Sequence, residues 1–217
     1  MSRRSFGPAL VVVLVATLLL GAFPGGAHPA PSHGLGIYRP SVPLARVYTR
    51  WALGASPSPL FGALEGVCGA RMGNDVFIAP PIAEGVDVRC RVPYGARIVF
   101  SHAAWFTLIP FDGSTDVEIV AAANAGFTPV VSWVRLDGRP VRLAGRSFNA
   151  GAFDVWSEPD SFLDQIGAGT GAVRTSITGT FLVIPPLPCG YHRLRAAVDF
   201  GIPDQSFSGT YRLRVCG

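Results

Sequence analysis

The sequence predicts a mainly β protein, an antiparallel β-sandwich with two or three short helical insertions. Apolar-alternating runs flank Asp137 and Gly138, a pair that favours a tight hairpin turn because both residues tolerate positive φ. The 26 glycines and 19 prolines are spread along the 217 residues, which indicates frequent turns rather than disorder. Many short strands separated by turns, with few helices, are typical of a sandwich.

Residues 1–27 have the pattern of a signal peptide. Arg3 and Arg4 precede an apolar run, and small residues lead to Ala27, near which we expect cleavage. The run is about 15 residues long, which is short for a spanning helix, although an uncleaved N-terminal anchor is an alternative. Residues 28–41 are rich in Pro, Gly and Ser and predict a flexible mature N-terminus. We expect a single β-sandwich domain over residues 42–217, with no membrane span after signal removal.

Three segments have helical patterns. The first covers residues 43–54, where apolar residues fall at helical spacing: Leu44, Val47, Tyr48 and Trp51. The second covers residues 114–126, in which Thr115 and Glu118 have the spacing of a capping box. The third is predicted over residues 157–167 and begins with a serine at cap spacing.

The remaining regular segments have strand patterns. In residues 86–92 apolar side chains and Cys90 alternate with Asp87, Arg89 and Arg91, so one face is apolar and the other charged. Further strands are predicted at residues 76–81, 96–100, 134–143 (two strands around the turn), 178–184, 191–200 and 209–216.

The predicted mature chain contains four cysteines: Cys68, Cys90, Cys189 and Cys216. An even number in an exported chain indicates two disulfides, and four cysteines allow three pairings that the count does not distinguish. No C-x-x-C pair is present, and only His102 and His192 lie within the predicted domain, so we expect no metal site and no cofactor.

The two terminal strands favour one pairing. In a hairpin with a four-residue loop at residues 201–204, Cys189 lies opposite Cys216, and the apolar residues of both strands fall on the same face. A bond between these two cysteines fits that hairpin. A bond between Cys68 and Cys90 then follows by exclusion, and the inward parity of Cys90 predicts that this bond is the more buried one.

The same register places four arginines on one face of the hairpin: Arg193, Arg195, Arg212 and Arg214. Like charges directly opposite each other on a sheet destabilise it, so this face needs neighbouring acids or an anionic partner. The planar guanidinium suits carboxylate and phosphate groups. Two alternatives remain open: a solvated face relieved by nearby Asp and Glu, and a site for an anionic cell-surface or extracellular polymer.

The overall charge argues against nucleic acid and membrane surfaces as partners. The 18 basic residues, all arginines, exceed the 14 acidic residues by four, and two of the arginines belong to the leader. The remaining excess is too small to predict a nucleic-acid-binding protein.

Catalytic motifs are weak, and we predict no catalytic residue. The G-x-S-x-G nucleophile elbow is absent, and Ser101 and His102, as neighbours on a strand, point to opposite faces. His102 is therefore expected to be a partly buried polar residue, and His192 a hydrogen-bonded structural histidine. Paired carboxylates could serve a hydrolase, with the candidates Asp112, Asp116, Glu118, Asp154, Glu158, Asp160 and Asp164.

Several short motifs resemble those of an uncharacterised family of secreted bacterial β-rich proteins. The family patterns are C-x-V-P-x-G, D-G-x-P-V and P-L-P-x-G-x-H, preceded by a helix with a Trp and by a Cys before a strand. The matching residues are Trp51, Cys68, Val76, Phe77, CRVPYG from Cys90, VRLDGRPV from Val134, and PLPCGYH ending at His192. The resemblance implies a β-rich fold and export, and it implies no activity. Cys189 stands where the family more often has proline, which makes its disulfide a local addition.

The sequence as a whole predicts a secreted, periplasmic or cell-surface module without catalysis, which serves binding or a structural role. The sequence does not specify the ligand; an anionic polymer at the arginines of the terminal hairpin is one candidate. The alternative is a secreted hydrolase that uses loop carboxylates.

Overall fold

A computed structural model describes residues 36–216. These residues form two five-stranded sheets and four short helices, which confirms the mainly β class and the sandwich with helical insertions. The predicted signal peptide and residues 28–35 lie outside the described residues. Within the described part of the chain, no helix combines the length and apolar character needed to cross a bilayer.

Two helices precede the first strand, and two further short helices interrupt the succession of strands. In chain order the strands are β1 (Gly69–Met72), β2 (Asp75–Ile78), β3 (Val86–Val92), β4 (Arg97–Leu108), β5 (Val131–Leu136), β6 (Arg139–Pro140), β7 (Ser147–Ser157), β8 (Gly171–Ile184), β9 (Gly190–Asp199) and β10 (Ser206–Val215). The helices are α1 (Val42–Gly54), α2 (Pro59–Leu64), α3 (Asp116–Gly126) and α4 (Phe162–Gln165).

Each sheet contains one parallel pair, so the sandwich is mixed rather than purely antiparallel. Sheet A has the order β1-β2-β4-β8-β7, and sheet B has the order β3-β10-β9-β5-β6. The parallel pairs are β2 with β4 and β3 with β10. The first pair arises because the chain leaves sheet A after β2, forms β3 in sheet B, and returns to sheet A as β4. The second pair joins β3 to the last strand of the chain.

Within residues 36–216, sheet A is covered on both faces, whereas sheet B is covered on one. Between the sheets, residues such as Phe100 and Ile184 of sheet A pack with Leu213 of sheet B. On the other face of sheet A, helices α1, α2 and α4 contribute buried residues that include Tyr48 and Leu163. Strand β3 alternates strictly between buried and exposed residues, as a strand with one solvated face should. The outer face of sheet B is therefore the large regular surface left open.

The predicted helices are present, with one boundary corrected. The capping box of Thr115 and Glu118 begins α3 as expected. Helix α4 begins later than predicted, because Ser161 rather than Ser157 is its cap and Ser157 still belongs to β7. Asp160 precedes this helix with φ of 61°, so it is not part of the helix, in contrast to the predicted range of 157–167.

The predicted flexible segment 28–41 is ordered near its end. Tyr38 forms an antiparallel bridge with Val183, with hydrogen bonds of 3.1 and 2.8 Å between their backbones. Val183 lies beyond the part of β8 that pairs with β7, so its edge is open to this contact. The expectation of flexibility is therefore wrong at Tyr38.

Candidate functional site

The terminal hairpin has the register that the sequence predicted. Arg193 lies opposite Arg212, and Tyr191 lies opposite Arg214. The backbone N–H of Phe200 donates to the carbonyl of Gln205 at 3.3 Å, which closes the four-residue loop. The four arginines of the hairpin are all exposed on the outer face of sheet B.

The two disulfides join the cysteines in the expected pairs. Cys189 and Cys216 close the open end of the hairpin, with their Cα atoms 5.1 Å apart. Cys68 and Cys90 are 5.0 Å apart and join the loop before β1 to β3. Cys90 is buried between the sheets, whereas Cys189 is exposed, so the first bond is the more buried one.

The neighbouring strands add three arginines to the same surface. Arg89 and Arg91 project from β3 and Arg135 from β5, and all three are exposed. We call this surface the arginine face and define it by seven residues: Arg89, Arg91, Arg135, Arg193, Arg195, Arg212 and Arg214.

Pairing across strands places like charges side by side on the arginine face. Arg89 is beside Arg212, which is itself opposite Arg193, so three arginines form a row across three strands. Arg195 is opposite Arg135 in a second row. Like charges that are directly opposite each other destabilise a sheet. The rows therefore oppose folding unless counter-charges are present.

Within residues 36–216, one acid forms an ion pair with the arginine face. Asp87 of β3 accepts hydrogen bonds from Arg212, at 2.9 Å to Nε and 2.7 Å to Nη2. These hydrogen bonds hold the pKa of the Asp87 carboxyl below its ordinary value. Asp87 thus pairs directly with Arg212, and its charge also attracts Arg89 and Arg193, as the solvated-face alternative requires. The same strand brings two further arginines, Arg89 and Arg91, to this surface.

Two aromatic side chains lie among the guanidinium groups. The ring of Trp133 is 5.8 Å from the guanidinium carbon of Arg135 and 5.9 Å from that of Arg195. Tyr191 is 82% exposed and lies 5.9 Å from Arg214. These are cation–π distances, and they hold the arginines in place without neutralising them.

The arginine face contains two shallow depressions. The larger has a volume of about 420 Å³ and is lined by Asp137, Gly138, Tyr191, His192, Arg193 and Arg212. The smaller has a volume of about 270 Å³, and its walls include Asp87, Trp133 and Arg195. Each depression therefore combines arginine and an aromatic ring with one aspartate, so it presents both a guanidinium and a carboxylate to a ligand.

His192 joins the turn after β5 to strand β9 and is a hydrogen-bonded structural histidine, as predicted. Its Nδ1 is 2.7 Å from Asp137 Oδ2, and its Nε2 is 2.9 Å from the carbonyl oxygen of Pro188. The other carboxylate oxygen of Asp137 accepts from the backbone N–H of Arg193 at 2.8 Å. Burial lowers the pKa of His192, but the hydrogen bonds to Asp137 and Pro188 outweigh it, and the pKa is raised. The contact fixes the rim of the larger depression.

His102 and Ser101 do not form a catalytic pair. His102 is fully buried, more than expected, and its Nε2 is 2.8 Å from Ser132 Oγ. Its Nδ1 and the Ser101 hydroxyl are buried without a hydrogen-bond partner among the described residues. Burial lowers the pKa of His102 to about 4, so the ring is neutral at physiological pH.

Most carboxylates proposed for a hydrolase have structural partners. Asp116 and Asp154 both bind Arg174, and the hydrogen bonds from this arginine lower the pKa of Asp116. A general acid needs the opposite shift, towards a higher pKa. The other partnered acids bind backbone N–H groups: Asp112, Glu118, Glu158 and Asp164. Within residues 36–216, no group of three or more His, Cys, Asp or Glu side chains is arranged to hold a metal ion.

Comparisons with known proteins do not assign a family. No family model matches the chain, and no curated protein matches it. Among solved structures, the chain is similar to a chain of "Structure of PbICP-C in complex with falcipain-2", at 8% identity. That match covers 66% of this chain and 100% of the other, with a TM-score of 0.28, which carries no functional argument.

Proposed function

We propose that the protein is a non-catalytic binding module that acts outside the cytoplasm and binds an anionic polymer through the arginine face. The observation that carries the proposal is the row of Arg89, Arg212 and Arg193 across three paired strands, with a single ionic partner in Asp87. An anionic ligand would supply the missing counter-charges, so binding would remove a repulsion that the free protein retains.

The extent of the arginine face favours a polymer over a small anion. Neighbouring strands lie about 4.8 Å apart, and alternate residues on a strand lie about 7 Å apart, so the seven guanidinium groups form a two-dimensional array. A single carboxylate or phosphate occupies one or two such positions. A chain of repeated negative charges can occupy several positions at once, and its affinity rises with each one.

Export is supported by the two disulfides and by the leader pattern. Disulfides persist in oxidising compartments and are rare in the cytosol. Anionic cell-surface and extracellular polymers are therefore the ligands that the protein would meet, which disfavours nucleic acid as the partner.

Dextran sulfate and uncharged dextran of the same length are the matched probes for this proposal. We expect the protein to bind immobilised dextran sulfate at low salt and not to bind dextran. Polygalacturonate serves as a carboxylated polymer, and duplex DNA tests the nucleic-acid reading. If the protein binds neither acidic polysaccharide at low salt, the proposal is wrong. If it binds duplex DNA more tightly than either polysaccharide, the partner is a nucleic acid instead.

A double variant separates the arginine face from general positive charge. Arg193→Thr with Arg195→Thr removes two central arginines from β9 and keeps a side chain that suits a strand. The control, Arg39→Thr with Arg71→Thr, removes the same charge from exposed positions outside sheet B. We expect the first variant to lose at least about tenfold in affinity and the control to lose little, because exposed charges act mainly within roughly 8 Å at physiological salt.

A further inference from the structure

A separate cavity lies between the helical layer and sheet A, with Phe207 of β10 also in its lining. Its volume is about 380 Å³, within the range typical of small-molecule sites. The floor is buried and includes Tyr48, Ala52, Leu60, Ser101 and Ile177. No charged side chain is among the residues that line it. A neutral ligand is therefore required, because transfer of a charge into such a site is strongly unfavourable.

The rim of this cavity is half-exposed and aromatic. Phe61, Phe106, Phe162 and Phe207 contribute to it, so the cavity opens to solvent through a ring of phenylalanines. The Phe162 ring centroid lies 5.5 Å from that of Phe61 and 5.6 Å from that of Phe106. Aromatic pairs at such distances gain energy beyond their buried area, which favours an aromatic ligand over an aliphatic one.

One of three hydroxyl groups in the floor has no partner. Tyr48 donates to the carbonyl of Ile78 at 2.7 Å, and Thr49 donates to the carbonyl of Ala45 at 2.8 Å. Ser101 is 1% exposed, and its hydroxyl group has no hydrogen-bond partner within residues 36–216. A buried polar group of this kind is unfavourable unless something satisfies it.

We propose that this cavity binds a neutral aromatic molecule of one or two rings that carries a single hydroxyl or carbonyl group. The ring packs against the phenylalanine rim, and the polar group pairs with Ser101 Oγ. This site shares no residue with the arginine face, so the two binding proposals can be tested separately.

Three small probes test the proposed chemistry on the full protein. Benzyl alcohol has both the ring and the hydroxyl, toluene lacks the hydroxyl, and cyclohexylmethanol lacks the aromatic ring. Methyl NMR shifts of Leu60 and Ile177 report occupancy, because both side chains line the floor. We expect saturable shifts with benzyl alcohol and affinities that are about fivefold weaker or worse for the other two probes.

Variants assign the binding to this cavity. Ser101→Ala should weaken benzyl alcohol about fivefold or more and leave toluene unchanged, because only the former uses the hydroxyl. Ala52→Met should block both by filling the floor, whereas Val47→Met on the exposed side of α1 should block neither. Any one of three results would overturn the proposal. Benzyl alcohol causes no saturable shift, cyclohexylmethanol binds as tightly as benzyl alcohol, or Ser101→Ala binds benzyl alcohol with unchanged affinity.

Discussion

Arg193 shows at the residue scale that the arginine face is not arranged for stability. It lies directly opposite Arg212 and forms no ion pair among the described residues, whereas Arg174 on sheet A binds two aspartates. The two arginines therefore differ in how fully their charge is compensated: Arg174 has two direct carboxylate partners, whereas Arg193 has only the nearby charge of Asp87, which already binds Arg212.

The first prediction concerns the stability of single arginine variants. Arg193→Thr should leave the free energy of unfolding unchanged or raise it by up to about 1 kcal/mol, because a like-charge pair is removed. Arg174→Thr should lower it by up to about 1 kcal/mol, as expected for a partly exposed ion pair. Urea unfolding at low salt measures both. A loss of more than about 1 kcal/mol in Arg193→Thr would show that this arginine has a structural role.

His102 makes the protein sensitive to acid. Its pKa is lowered from 6.5 to about 4 by burial, so the unfolded chain takes up this proton first as the pH falls. The neutral His102 ring therefore contributes fully to the free energy of unfolding above about pH 6.5. This contribution is lost as the pH falls from 6.5 towards 4, and the loss is about 3 kcal/mol at most.

The second prediction follows from that window. His102→Leu should remove most of the decrease in unfolding free energy between pH 6.5 and pH 4.5. Ser132, which loses its hydrogen-bond partner in this variant, is exposed, so its hydroxyl can bind water instead. His192→Gln is the control: the pKa of His192 is raised in the folded state, so its effect on stability appears above pH 6.5. Urea unfolding at pH 6.5 and pH 4.5 measures the decrease in each variant. If the unfolding free energy of His102→Leu falls as much as that of the wild type, His102 is not the source of the acid sensitivity.

At the scale of elements, the C-terminal hairpin is both the centre of sheet B and the main part of the arginine face. Its open end carries Tyr191 and Arg214 and is closed by Cys189 and Cys216. The other disulfide joins Cys90 of β3 to the loop before β1; Cys90 lies between Arg89 and Arg91, but its side chain is buried between the sheets, and pairing with β10 holds β3 along its whole length. The two bonds should therefore differ in their effect on binding more than in their effect on stability.

The third prediction compares the two disulfides. Their sequence separations are 27 and 22, so removal of either should lower the unfolding free energy by a similar amount, about 3 kcal/mol. Cys189→Ala with Cys216→Ala should also weaken dextran sulfate binding and speed amide exchange at Tyr191 and Arg193. Cys68→Ala with Cys90→Ala should leave polymer affinity near wild type below its unfolding temperature. Equal losses of affinity would contradict this role for the hairpin end.

The hairpin could be predicted from sequence because its register depends on local information. Parity along two adjacent strands and one cysteine pair were enough to place Arg193 opposite Arg212. The parallel pairing of β3 with β10 joins strands more than a hundred residues apart, and no local pattern specifies it. The outward parity of Arg89 and Arg91 was visible in the sequence, but their position beside the hairpin was not.

Other features were missed for identifiable reasons. Strand β7 carries a bulge between Asn149 and Ala152, which breaks the alternation that predicts a strand. Helix α2 is only six residues long, too short for a periodic signal. The start of α4 was misplaced because Ser157 and Ser161 are both suitable caps, and their hydroxyls in fact contact each other at 2.9 Å.

At the scale of the whole molecule, positive charge is concentrated on the outer face of sheet B, although other arginines lie on the helical layer and on sheet A. The formal net charge of the chain is only +4, yet the arginine face carries seven arginines and one ion-paired acid among the described residues. The helical layer on the opposite side of sheet A instead contributes a neutral aromatic cavity. Net charge alone therefore understates how strongly one surface can attract an anion.

The salt dependence of polymer affinity tests the central claim most directly. The logarithm of the dextran sulfate association constant should fall linearly with the logarithm of salt concentration, since bound arginines release counterions from the polymer. We predict that Arg193→Thr with Arg195→Thr makes the slope shallower by about one to two, while Arg39→Thr with Arg71→Thr leaves it unchanged. Equal slopes for the wild type and both variants, or an affinity that does not depend on salt, would contradict an anionic polymer site on the arginine face.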